Sequence, residues 1–137
     1  MNWLTWALLS AFFAALTAIL AKVGVQGIDS NLATAIRTVV IVVFAWSVAA
    51  FTNRQTMGSI SGRTWLFLGL SGLATGLSWL CYFRALQLGE ASRVAPVDKL
   101  SVVITIVLAG LLLHERLTWH QWMGGALIFA GALILAF

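Results

Sequence analysis

Asp98 and Lys99 stand side by side shortly after Pro96, and the uncharged run Leu100–Leu113 follows them. Arg37 interrupts an otherwise uncharged stretch from Leu32 to Phe51. A charge at the centre of a membrane span costs about 2.5–3.5 kcal/mol on insertion scales, so ionisable groups inside spans are functional candidates. An adjacent acid and amine can hold a proton or a polar solute, and a guanidinium can hold an anion. Trp79, Tyr82 and Phe83 fall at i, i+3 and i+4 and so share one helix face. Such a face can line a path for an amphipathic or cationic solute. Asp98, Lys99, Arg37, Trp79 and Tyr82 are therefore the candidate substrate-binding residues. Each also has a purely structural reading. Pro96 suits the first turn of a helix, and an acid there complements the helix dipole. Arg37, five residues after Leu32, can snorkel to the interface. The aromatic face can serve packing alone.

The elements that must position these residues follow from composition. Of 137 residues, 61% are apolar and 9% charged. A soluble domain carries about 25% charged residues to wet its surface. The eight Lys and Arg are scattered singly and form no basic stripe, which argues against a nucleic-acid partner despite the net charge of +4. One Cys allows no intrachain disulfide. The composition fits an all-α integral membrane protein whose partner is the lipid bilayer. A spanning helix needs about 20 apolar residues, and such runs occur at about 3–21, 32–51, 64–86, 94–113 and 117–137. They are uniformly apolar, whereas barrel strands alternate. Five spans leave no room for a soluble domain, so a single transmembrane domain over 1–137 is expected. The first run lacks a preceding Lys or Arg and is longer than a signal-peptide core, so it reads as a retained span. If the fourth helix starts near Ser92, Asp98 and Lys99 are about 9–10 Å deep at 1.5 Å per residue.

The connections are short and rich in turn formers, as in Val23–Asn31 and Thr52–Gly62. Trp3, Trp6, Trp65, Trp119 and Trp122 lie at run ends, as interfacial aromatics do. Trp46 and Trp79 lie deeper and have no such explanation. An odd number of spans puts the termini on opposite sides. Arg54, Arg63 and Arg116 then lie on the N-terminal side, and Lys22, Arg84 and Arg93 on the other. Counting the embedded Arg37 and Lys99 with the second group makes it five against three. So weak a bias admits a single orientation or insertion both ways, the latter giving an antiparallel pair of the kind inverted-repeat transporters use. Arg37 and Asp98 both lie near membrane edges on the side opposite the N-terminus, where the second and fourth helices start, so a pairing between them is geometrically possible.

The order of several motifs resembles one half of an EamA-type protein of the drug/metabolite transporter superfamily. These are Tyr82-Phe-Arg-Ala-Leu-Gln-Leu-Gly89, Glu90-Ala-Ser-Arg-Val-Ala-Pro96, Val97-Asp-Lys-Leu-Ser-Val-Val103, Leu111-Leu-Leu-His-Glu-Arg-Leu-Thr118 and Gly124-Gly-Ala-Leu-Ile-Phe-Ala-Gly131. The resemblance spans the chain, with its specific part at residues 79–131. Common members have ten helices as two halves of opposite topology; this sequence resembles the short five-helix branch. The resemblance implies a secondary transporter moving a small metabolite or drug-like solute across the cytoplasmic membrane of a prokaryote. A single half implies a second copy of itself as partner, as a homodimer that is either parallel or antiparallel.

Three other functions remain to be weighed. Gly69-Leu-Ser-Gly72 has the GxSG form of rhomboid-type proteases, but Ser71 lies about 10 Å into its span. His120 and His114 lie at helix ends, where they are expected to be solvated, so no base matches that depth. A small dual-topology ion channel should show a filter-like segment, and none is evident. An accessory half-transporter subunit would need a different partner chain. No cofactor and no metal is expected, since no HExxH or comparable motif occurs, and no enzymatic activity is expected. Gly72 and Gly76, with Gly69, and Ala126 and Ala130 of the last helix suit close helix packing. That last helix is a candidate for contact between subunits, and the adjacent Glu115 and Arg116 suit an exposed pair.

Overall fold

In a computed structural model of the protein, residues 2–52 and 57–137 are described, and every regular element among them is helical. The elements are α1 (Trp3–Gly24), α2 (Ser30–Thr52), a 3₁₀ turn (Met57–Ser59), α3 (Gly62–Leu88), α4 (Ala91–Asp98), α5 (Leu100–Leu112) and α6 (Trp119–Ala136). Five segments are long and apolar enough to span a membrane: α1, α2, α3, α4 together with α5, and α6. This is the all-helical multi-pass architecture that the apolar runs require. At 1.5 Å per residue α3, with 27 residues, is about 40 Å long and exceeds the roughly 30 Å hydrocarbon core. Arg54 lies outside the described residues, and with it one charge of the orientation count.

The chain forms two compact units. One holds the chain up to Leu20 together with Leu88–Phe137; the other is Ala21–Gln87. In the second unit the buried side chains gather where α1 ends, α2 begins and α3 ends: Ala21, Val25, Ala33, Phe83 and Leu86, with Ser30 and Thr34. The polar ones are satisfied locally, Thr34 donating its hydroxyl proton to the Ser30 carbonyl at 2.9 Å. Asp29 caps α2, its Oδ1 accepting from the amides of Asn31 (2.9 Å) and Leu32 (3.0 Å). Gly27 takes φ +79° in the turn before it, a conformation glycine adopts without steric cost. Lys22, at the end of α1, donates to the Leu86 carbonyl at 2.6 Å, placing a cation at the carboxyl end of α3. Gln87 donates to the Ile28 carbonyl at 2.7 Å and accepts from Arg84 at 2.7 Å.

In the first unit α6 packs on both α4 and α5. Its start is a capping box: the Thr118 amide donates to the Gln121 side chain at 2.7 Å, and Thr118 Oγ1 receives the Gln121 amide at 3.4 Å. His114 closes α5 with φ +54°, a left-handed turn that reverses the chain toward α6. Gly125 is buried, and a Cβ placed there would meet Ile106 Cδ1 at 3.5 Å. Gly69, Gly72 and Gly76 have nothing within 4 Å of such a Cβ among the described residues, so a side chain at these positions would meet open space. Most large apolar side chains are exposed, including Phe44, Trp46, Leu73 and Ile134. In a bilayer that is no liability, because lipid tails are as apolar as leucine.

The fourth span departs from expectation in two ways. It begins at Ala91 rather than at 94, so Pro96 is the sixth residue of α4 and not in its first turn. It is also interrupted at Lys99. A proline inside a helix removes the bond to the residue four back and crowds that carbonyl. The helix tightens just beyond it. The Lys99 amide is shared between the carbonyls of Ala95 (3.3 Å) and Pro96 (3.1 Å), and the Val102 amide donates to the Lys99 carbonyl at 3.0 Å. Bonds spanning three residues and ψ of −6° at Lys99 are the signature of a 3₁₀ step.

Candidate functional site

The interruption changes the meaning of Asp98 and Lys99. The expected dipole-matched helix start is corrected: the span begins at Ala91, so Asp98 and Lys99 lie at its 3₁₀ step, beyond the first turn where an acid would meet the dipole. They face each other instead, Lys99 Nζ to Asp98 Oδ2 at 3.3 Å. The Lys99 side chain is 56% exposed and that of Asp98 35%. Asp98 lies seven residues after Ala91, about 10 Å along the span. The pair is an acid and an amine at a break in a membrane helix, each with hydrogen-bonding capacity left over.

The other candidates meet in the second unit. The Arg37 guanidinium lies over the Trp79 ring, 3.4 Å from its centroid, and 5.7 Å from that of Phe83. Trp79 and Tyr82 contact edge to face at 5.6 Å and 84°, and Trp79 and Phe83 at 5.9 Å and 62°. The i, i+3, i+4 face is thus a continuous aromatic shelf, and Arg37 of α2 sits on it. This explains the deep Trp79. A guanidinium over an indole is a cation–π pair worth about 0.5–2 kcal/mol. It leaves the N–H groups at the guanidinium edge available to an anion. Phe83 is buried, whereas Arg37, Trp79 and Tyr82 are half-buried. The structure therefore gathers Arg37, Trp79 and Tyr82 into one cluster and Asp98 and Lys99 into another, one in each unit.

Ser71 is exposed on α3, and its carbonyl accepts from the Thr75 hydroxyl at 2.8 Å. His114 and His120 are exposed as expected. Among the described residues no group of three His, Cys, Asp or Glu is placed to hold a metal ion. Two features escape sequence reasoning. Lys22 counts there only as an orientation charge, although a basic residue in the last turn of α1 is a signal for carbonyl capping. The other is an apolar groove between α5 and α6, which depends on their register.

The sequence profile of the EamA-like transporter family matches residues 1–137. The chain belongs to that family. It is 61% identical over 136 residues to an uncharacterized transporter in the cobO 3′ region of a Sinorhizobium species, covering 98% of this chain and 96% of the relative. Over 72 residues it is 32% identical to a probable 4-amino-4-deoxy-L-arabinose-phosphoundecaprenol flippase subunit ArnE of Aeromonas hydrophila subsp. hydrophila. That match covers 52% of this chain and 60% of the relative. The corresponding ArnE of Aeromonas salmonicida is 31% identical over the same length. No solved structure matches the chain. This EamA-like protein is accordingly a multi-pass membrane transporter, with five apolar spans among the described residues and a 3₁₀ step in the fourth.

Proposed function

We propose that the protein is a non-enzymatic secondary transporter of a small metabolite in the cytoplasmic membrane of a prokaryote, working as a homodimer. The observation that carries the proposal is the Asp98–Lys99 pair at the broken fourth span. Ionisable groups inside a span mark solute and ion pathways. An ion pair inside a span is costly to insert, and a ligand-binding role accounts for its presence there. Arg37 with Trp79 and Tyr82 supplies a second binding surface, suited to the anionic or planar part of a solute. Bacterial relatives described as transporters support the setting.

The test works without naming the solute. Inverted membrane vesicles containing the protein are incubated with a soluble cell extract and their contents quantified by mass spectrometry. At least one solute should accumulate above vesicles lacking the protein, saturate, and show counterflow. Flux that neither saturates nor counterflows would indicate a pore instead.

A half-sized bundle builds alternating access by pairing with an oppositely oriented one. Reporter fusions at the carboxyl terminus should therefore give signal on both membrane faces. A signal on one face alone would reject the antiparallel homodimer. A second reading, a different half-sized chain as partner, draws on the word subunit in the ArnE relatives' description. Activity reconstituted from this chain alone would reject that reading.

A further inference from the structure

The groove between α5 and α6 has a volume of about 290 Å³. That is just below the range of about 300–1,000 Å³ for small-molecule sites. Val103, Ile106 and Val107 form one wall, and Trp122, Ala126 and Phe129 the other. Its one polar lining residue, Gln121, has its carboxamide oxygen occupied by the Thr118 amide and hydroxyl at 2.7 and 3.0 Å. What remains is a hydrocarbon slot.

Its position gives it meaning. The short turn after α5 makes α5 and α6 antiparallel, and the approach of Ile106 to Gly125 fixes their register. Phe129 is then level with Val103, at the end of the slot nearer the helix break. Lys99 and Val103 are four residues apart across the start of α5 and lie on one face. The slot thus opens one helical turn from the Asp98–Lys99 pair, within the same compact unit. Of that pair the ammonium is the more exposed member, 56% against 35%, and it has three donors against the single contact to Asp98.

We propose that the α5–α6 groove and Lys99 together bind an amphiphile with an anionic head and a single hydrocarbon chain, the head on the Lys99 ammonium and the chain between Val103 and Phe129. The inference rests on the transporter reading and names its substrate class. A neutral apolar ligand would make no use of the adjacent cation, and a purely polar one would leave the slot empty.

The probe is a long-chain fatty acid carrying a diazirine in mid-chain, with the alcohol of the same chain as control. Full-length protein is used in phosphatidylcholine nanodiscs, and labelled residues are mapped by mass spectrometry. The acid should label Val103, Ile106 and Phe129 about tenfold more than the alcohol, as a charge-assisted contact allows. Lys99→Gln should remove that difference. Ala126→Phe, at an exposed position, should fill the slot and reduce labelling by the acid about tenfold, as should the independent filler Val103→Trp. Equal labelling by acid and alcohol, labelling spread evenly over other lipid-facing helices, or labelling unchanged in both filled variants would overturn the inference. The vesicle assay separates this from failure of the transporter reading. Filled variants that lose the probe but accumulate solute at the wild-type rate would remove the groove from the transport path and leave the transporter standing. Wild-type vesicles that accumulate nothing would sink the transporter.

Discussion

Asp98→Asn is expected to lower solute accumulation in vesicles by about 10- to 100-fold, the equivalent of the roughly 1.5–3 kcal/mol that a hydrogen bond to a charged group contributes. Insertion and self-association should be little changed. The asparagine keeps the shape of the side chain and one acceptor oxygen, but exchanges the other oxygen for a donor and loses the charge. The pair with Lys99 is partly exposed, so its removal alone should cost the fold no more than about 1 kcal/mol. A charge swap decides between the roles. Asp98→Lys combined with Lys99→Asp rebuilds an ion pair with its charges exchanged. A structural pair would be rescued by the swap. A pair that binds solute would remain inactive because the charges are presented in reverse. Full activity in either Asp98→Asn or the swap would remove Asp98 from the site.

The spans are legible in the sequence and the break is not, for one physical reason. Span existence depends on sums over about 20 residues, which a single charge barely perturbs. The break depends on where one proline falls relative to a helix start. Taking the fourth helix from 94 places Pro96 in the first turn, where its missing amide is harmless. Starting at Ala91 places it in the interior, where the same residue disrupts the ladder. A shift of three residues thus moves Asp98 from a dipole-matched start to the interior of the span. The aromatic face of α3 is readable because i, i+3, i+4 neighbours are local. That Arg37 lies on it is not, because the contact joins positions 37 and 79, on different helices. The α5–α6 groove is hidden for the same reason, since helical periodicity carries no information about register between helices.

The side chain of Arg37 resolves between snorkelling and binding through its partner. A snorkelling arginine keeps its guanidinium in the headgroup region and is indifferent to the residue at 79. The stack at 3.4 Å makes the two interdependent. In a double-mutant cycle of Arg37→Gln and Trp79→Leu, unfolding in detergent should show a coupling of about 0.5–2 kcal/mol. Additive effects would dissolve the stack. Function should be more sensitive than stability. Arg37→Gln should reduce accumulation by about tenfold or more, as loss of a charged anion contact does. Arg37→Lys should recover little of it, because an ammonium keeps the charge but not the planar fork that lies on indole while its edge donates to an anion. Full recovery by lysine would mean that charge alone matters there. Wild-type transport by Arg37→Gln would return Arg37 to a structural role, and the aromatic shelf with it to packing.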